Sequence, residues 1–242
     1  MKISAKTDVG TVRTNNQDFC LAGEFSDGAT WAVVCDGMGG ANGGNIASET
    51  AAKLIFNKIT NSYHEAMNDN SIKMLITSAI ETANAAVYSR ACSDETLKGM
   101  GTTVVLSIIK GDCLYYAHVG DSRLYIISDD KITQMTSDHS VIQMMIDNGE
   151  ITAEDARIHP VKNVITRALG VDETVRIDYN QENYNVDETV LLCTDGLTNY
   201  VDDMKILEIC NSDDKYSLAD LLVDTANANG GGDNVTVVTL SY

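Results

Sequence analysis

The 242-residue sequence predicts an α+β fold, a helix-sheet-sheet-helix sandwich of four layers built on two mainly antiparallel sheets. Three observations carry that expectation. Short apolar runs at Thr30 to Cys35 (TWAVVC) and Glu188 to Thr194 (ETVLLCT) read as buried strands, and both end at an Asp-Gly pair. Three further runs, Thr102 to Ile109, Cys113 to Val119 and Arg123 to Ser128, are separated only by Lys110-Gly111-Asp112 and Gly120-Asp121-Ser122, spacings that favour antiparallel hairpins. Long helical patterns fall between the strands, so strands that are apolar on both faces have cover on both sides.

The helices are predicted from periodicity. Ile72, Leu75, Ile76, Ala79, Ile80, Ala83 and Val87 recur at three and four, predicting a long amphipathic helix over Asp69 to Cys92, and Ile46 to Ile59 reads similarly. Asp138 is the expected N-cap of a helix through Asp147 that stops at Asn148-Gly149. Thr152-x-x-Asp155 resembles a capping box, and a last helix lies near Ser217 to Ala228 before a strand at Val235 to Leu240. A parallel doubly wound sheet would need regular strand-helix alternation, which the hairpins between Thr102 and Gln134 break. With one proline and no linker or low-complexity tract, residues 1–242 read as a single domain.

Composition narrows the function classes. Seventeen basic against 35 acidic residues give a formal charge of −18, which argues against nucleic acid and against an anionic membrane surface. The same excess of carboxylates suits hard divalent cations, although most acidic residues on any protein are simply solvated. The N-terminus lacks the apolar core of a signal peptide, and no apolar run is long enough to span a bilayer, so a cytoplasmic location is expected. Six scattered cysteines without a Cys-x-x-Cys pair read as reduced, buried thiols.

The candidate chemistry lies in three aspartates. Asp36 ends one buried run and is followed by Gly37-Met38-Gly39-Gly40; Asp195 ends another and is followed by Gly196. Either pair alone is equally a hairpin turn. Yet the residues after each pair read as loop and helix rather than a returning strand, and the segments WAVVCDG and VLLCTDG look alike. Asp233 comes after Gly230-Gly231-Gly232, where glycines permit close backbone approach or simply form a flexible loop. Aspartates at the ends of three strands can converge on one rim of a sandwich, and carboxylates so gathered require a cation or raised pKa values.

Competing motifs fail on spacing. Gly37-x-Gly39-x-x reaches Asn42 where a dinucleotide fingerprint needs glycine, and no Lys-Ser or Lys-Thr comes after it to complete a P-loop. Asp138-His139-Ser140 holds the residue types of a hydrolytic triad, but three neighbours at a helix start read as capping. His64 and His118 read as structural, with no metal-ligand partner nearby in the sequence.

A family resemblance then covers nearly the whole chain. TDVGTVRTNNQD (Thr7 to Asp18), CDGMGG (Cys35 to Gly40), GTTVV (Gly101 to Val105), GDSRLY (Gly120 to Tyr125), SDHS (Ser137 to Ser140), HPVKNVITRALG (His159 to Gly170), LLCTDGLTN (Leu191 to Asn199) and GGDNVTVV (Gly231 to Val238) occur in the order found in the bacterial metal-dependent, or type 2C, serine/threonine protein phosphatases, which the chain closely resembles. The resemblance implies a phosphatase acting on phosphoserine and phosphothreonine in proteins, a monomer that opposes a serine/threonine kinase. It also implies two Mn²⁺ or Mg²⁺ ions, with Asp36 bridging both, Asp195 and Asp233 completing one site, and the Gly37 carbonyl and, through water, Asp18 serving the other. Asp121 resembles the ligand of a weaker third ion shared with Asp195.

By the same resemblance, a water between two cations roughly 3.5–4 Å apart attacks phosphorus in line, and Arg13 holds the substrate phosphate with its planar fork of donors. Asn148 to Gly170 resembles the family's flap beside the cleft, where His159 is either a substrate contact or a packing residue. The chain also departs from the family. Met38 and Ala41 stand where relatives carry a histidine that serves as general acid, Gln17 where many have glutamate, and Lys162 where many have arginine. A pseudophosphatase that only recognises phosphorylated partners, and a two-metal phosphodiesterase or nuclease, are the competing readings. Retention of Asp36, Asp195 and Asp233 disfavours the first, and the −18 charge the second.

Overall fold

In the computed structural model, which describes residues 1–156, 159–212 and 214–242 but not the side chains of residues 41, 42, 153 and 154, the strands sort into two antiparallel sheets. Numbered along the chain, the first sheet orders β1 (Lys2–Asp8), β11 (Val235–Ser241), β10 (Thr189–Cys193), β7 (Arg123–Ile127) and β8 (Ile132–Gln134). The second orders β2 (Asp18–Glu24), β3 (Thr30–Met38), β5 (Val104–Lys110), β6 (Cys113–Val119) and β9 (Asp178–Asn183), with the two-residue β4 (Gly101–Thr102) paired to the end of β3.

Strand alternation explains why these runs are apolar on both faces. Along β3, Ala32 and Val34 point toward the other sheet and share a core with Val105, Leu114, Leu192, Val238 and Leu240. Their neighbours Val33 and Cys35 point the other way, into a core closed by Ile55 and Ile59 of α1 (Gly40–Ser62) and Ile76 and Ile80 of α2 (Asp69–Ser93). The first sheet repeats the arrangement. Tyr125, Leu191, Cys193 and Val237 pack beneath Leu197, Ile206, Leu222 and Val223. Those four belong to α5 (Asp195–Thr198), α6 (Asp203–Cys210) and α7 (Leu218–Ala228). Two short helices, α3 (Val141–Asp147) and α4 (Ala153–Ala156), lie in and before the flap segment, of which Arg157 and Ile158 fall outside the described residues.

The four-layer sandwich is therefore as expected, with three local corrections. Gly120-Asp121-Ser122 is not a hairpin. β6 belongs to one sheet and β7 to the other, and the turn carries the chain between them with Gly120 at φ 111°, where a Cβ would press on Thr103. The helix expected at Ile46 starts six residues earlier, at Gly40, because the glycine-rich stretch after β3 already coils. Asp138 does not cap α3: Ser140 does, its Oγ accepting from Gln143 N at 3.1 Å, while Asp138 accepts from Arg123 Nη2 at 2.7 Å. The six cysteines are free thiols, but only Cys35, Cys193 and Cys210 are buried, and Cys92 is exposed. Among the described residues no helix is long and apolar enough to cross a membrane.

Candidate active site

Asp18 and Asp36 are paired residues in the antiparallel ladder of β2 and β3. Asp36 is not a turn residue, because β3 continues to Met38 and its backbone is fixed on both sides. Its N–H donates to Thr103 Oγ1 at 2.9 Å, and its carbonyl accepts from Thr103 N and Thr102 Oγ1, each at 2.8 Å. Thr103 in turn shares a 2.7 Å hydrogen bond with Ser122, so Asp36 and the turn carrying Asp121 are braced against each other. Gly37 admits no side chain, since a Cβ there would strike the carbonyl oxygens of Gly44 and Gln17. A side chain at Gly44 would lie 2.6 Å from the Gly37 oxygen. Glycine inside a helix costs about 1 kcal/mol relative to alanine, and at Gly44 it keeps the Gly37 carbonyl clear.

The first sheet supplies the other carboxylates. Asp195 opens α5 directly after β10 and accepts from Asn199 Nδ2 at 2.9 Å. Asp233 stands just before β11. The two sheets meet at Thr194, whose hydroxyl donates to Asp18 Oδ2 at 2.9 Å and accepts from Thr236 N at 3.0 Å. Asn234 knots the N-terminal loop to this rim: Nδ2 donates to the Val9 and Asn15 carbonyls, and Oδ1 accepts from Gln17 N. That knot delivers Arg13, whose Nη2 donates to Asp233 Oδ2 at 2.9 Å. Arg13, Asp36, Gly37, Asp121, Asp195, Asp233 and Asn234 line one cleft of about 570 Å³, together with Thr103, Asn163 and Ile165. Asp18 is buried behind it.

The electrostatics arise from this crowding. Burial first, then the neighbouring Asp18, Asp195, Asp121 and Asp233, raise the Asp36 pKa well above the ordinary carboxylate range. Asp18 is pushed up to about 7, mainly by burial; hydrogen bonds from Thr236 and Thr194 oppose the shift, and Asp195 and Asp233 add to it. Asp121 is likewise raised to about 7 by burial and Asp195, and Asp195 is raised by burial and Asp233. One oxygen, Asp18 Oδ1, is buried without a hydrogen-bond partner. Raised carboxylates, an unpartnered anionic oxygen and an all-oxygen donor set fit divalent Mn²⁺ or Mg²⁺ rather than zinc. Among the described residues no three of these carboxylates bring oxygens within 4.8 Å of one another.

The structure thus brings Asp36, Gly37, Asp121, Asp195, Asp233 and Arg13 to one cleft and sets Asp18 against it. The described residues lining the cleft include no histidine; Met38 lines it, and the Ala41 side chain lies outside the described residues. Gln17 also lines it, its Nε2 donating to the Gly40 carbonyl at 2.8 Å. Lys162 is exposed on the flap. His159 accepts from Val161 N at 3.4 Å within a local turn and is not among the residues lining the cleft.

His118 departs from the sequence reading, because the fold brings it His139 and Asp178 within 4.8 Å. They do not compose a cation site. The two imidazoles stack at 4.5 Å and 18°, so their in-plane lone pairs do not converge, and Arg167 already supplies the positive charge beside Asp178. Thr103, Thr194 and Asn234, which position the carboxylates, carried no sequence signal of their own beyond lying in matched motifs.

Comparison with known proteins identifies the matching family. The family described as "Protein phosphatase 2C" matches residues 11–230. Protein phosphatase PhpP of Streptococcus pneumoniae is 38% identical over 245 residues, covering 100% of this chain and 97% of its own. The S. agalactiae serine/threonine phosphatase superposes with a TM-score of 0.92 at 34% identity, over 100% of this chain and 99% of the other. The catalytic domain of serine threonine protein phosphatase PstP, solved in complex with two manganese ions, is 31% identical with a TM-score of 0.85, over 98% of this chain and 96% of its own.

Proposed function

Since the chain belongs to the bacterial protein phosphatase 2C family and is a protein serine/threonine phosphatase, we propose that its cleft hydrolyses phosphoserine and phosphothreonine by metal-assisted attack of water. The observation that carries this reading is the convergence of Asp18 and Asp36 from one sheet with Asp195 and Asp233 from the other, joined through Thr194. Asp36 would hold both of two Mn²⁺ or Mg²⁺ ions. Asp195 and Asp233 would hold the first, the Gly37 carbonyl and, through water, Asp18 the second, and Asp121 with Asp195 a weaker third. Bound there, divalent cations supply Lewis acidity and make water acidic enough to attack phosphorus at neutral pH.

The chain's own residues do the remainder. Arg13 binds the substrate phosphate, its guanidinium having further donors besides the one on Asp233. Together with cations on the carboxylates it offsets the net charge of −18, which otherwise repels a phosphorylated partner. Thr103 and Thr194 fix the carboxylates before substrate arrives, so less reorganisation accompanies the reaction. With no histidine among the described lining residues, the leaving alkoxide takes its proton from water. A single-domain, monomeric, cytoplasmic enzyme that reverses the action of a serine/threonine kinase on proteins is the role this chemistry suits.

The test is hydrolysis of p-nitrophenyl phosphate and of a phosphothreonine peptide with Mn²⁺ and with chelator, comparing wild type with Asp36→Asn and Asp195→Asn. Metal-dependent turnover lost in both variants is expected. Folded wild type inactive with every metal would overturn the phosphatase reading, and unchanged turnover in the variants would overturn the ligand assignment.

A further inference from the structure

Behind the cleft a second polar group serves no step of the proposed reaction. His139 is 6% exposed, and its partners fix its tautomer. Gly120 N donates to Nδ1 at 3.1 Å, so in the neutral ring that nitrogen carries no proton; Nε2 carries it and faces Asp178 Oδ2 at 3.1 Å, with Arg167 Nη1 also 3.0 Å from Nε2. Arg167 Nη1 donates to Asp178 Oδ1 at 2.9 Å and so holds the carboxylate that holds the imidazole. The His139 backbone works in the same direction. Its N–H donates to the Gly120 carbonyl at 3.0 Å, and its own carbonyl accepts from Thr166 N, at the end of the flap segment, at 2.7 Å.

One residue therefore grips both polar backbone groups of Gly120, the residue before Asp121. Gly120 has little freedom to relax, being at φ 111° with its Cα face against Thr103, which also carries Asp36. We propose that His139 is a positioning residue for Asp121: its Nδ1 lone pair and backbone lock the turn between the two sheets and tie it to the flap end at Thr166 and Arg167. The proposal rests on the reading of Asp121 as a cation ligand. His139 is not among the residues lining the cleft and acts on Asp121 through the backbone of Gly120.

Two substitutions separate the ends of the ring. Asparagine places an amide oxygen near the position of Nδ1 and can still accept from Gly120, whereas glutamine reaches toward Asp178 and leaves the Gly120 N–H without an acceptor. In calorimetric Mn²⁺ titration, H139Q is expected to weaken the weakest binding event by roughly tenfold, the effect typical of groups that orient metal ligands, with H139N within about threefold of wild type. Exchange of the Gly120 amide, followed by NMR, should accelerate in H139Q and not in H139N. In a D121N background H139Q should weaken Mn²⁺ no further. An undiminished effect of H139Q in that background, or an unchanged Gly120 amide in H139Q, would overturn the positioning role. A D121N titration identical to wild type would instead overturn the cation role of Asp121, and the proposal with it.

Discussion

Asp18 and Asp36 stand opposite each other across the β2–β3 ladder, and Asp18 is hydrogen-bonded across to the other sheet through Thr194. Two carboxylates at directly opposite ladder positions repel each other, and here Asp36 lines a cleft that crowds in three more while Asp18 is buried behind it. The pair is thus tolerable only when protonated or when a cation lies against it.

The metal-free protein should therefore respond to pH. The folded-state pKa of Asp18, about 7, exceeds its unfolded value near 3.8, so between these limits the folded state binds more protons. Stability from this group is complete below the unfolded value and is lost as pH rises toward 7. His118 and His139 act in the opposite sense, their pKa values being lowered by burial, so the clean observable is a difference. In chelator, Asp18→Asn should gain several degrees of thermal midpoint over wild type between pH 5 and pH 7.5. Saturating Mg²⁺ should abolish that gain. A gap that does not widen with pH would show that Asp18 is already ionised.

Thr103→Val removes the acceptor for Asp36 N and the hydrogen bond to Ser122 in a buried place. The expected loss is about 1–3 kcal/mol in denaturant unfolding, with a rise in the Mn²⁺ concentration giving half-maximal turnover. Thr103→Ser, which keeps the hydroxyl, should restore the metal response.

Gly196→Ala puts a methyl group against the Asn234 carbonyl, between the residues that carry Asp195 and Asp233. Overpacking there should destabilise by about 1–3 kcal/mol and lower turnover more than Ile55→Ala does. The latter substitution, in the helix-covered core, should cost about 2–5 kcal/mol while leaving kcat at low temperature nearly unchanged. Equal losses of activity in the two variants would contradict a local role for Gly196.

Arg13→Ala should raise KM for a phosphothreonine peptide, lowering kcat/KM by about ten- to a hundredfold. Arg13→Lys should recover only part, because an ammonium cannot present the paired donors of a guanidinium. Steady-state kinetics at saturating Mn²⁺ distinguishes this from a loss of metal, which would lower kcat at every substrate concentration.

The sequence made the layers and the carboxylates legible because both rest on local signals. Alternating apolar strands and the three-and-four spacing from Ile72 to Val87 place the cores, and Asp-Gly after a buried run places Asp36 and Asp195. What escaped depends on partners far along the chain. β9, DYNQEN, is a polar edge strand whose only claim to be a strand is backbone pairing with β6. The turn at Gly120 looks like a hairpin until the sheets are known, since the crossover depends on what Arg123 to Ile127 pairs with. The roles of Thr194 and Asn234 are set by Asp18 and the N-terminal loop, each more than 170 positions away. The residues were visible; their distance hid the connection.

The pairing of β1 with β11, Lys2 opposite Ser241 through Asp8 opposite Val235, has a consequence for synthesis. Arg13 meets Asp233 across 220 positions, and Asp18 receives its Thr194 bond across 176. No co-translational intermediate that lacks the last strand can assemble the carboxylate cluster, however well its first helices and the β2–β3 hairpin have formed. A chain not yet extended through β11 therefore lacks the assembled cluster, and the regain of activity on refolding reports that β1 and β11 have paired. Closure over so long a loop is among the slower events of folding. The regain of phosphatase activity should thus lag behind the regain of helical circular dichroism when the denatured protein is diluted into buffer containing Mn²⁺.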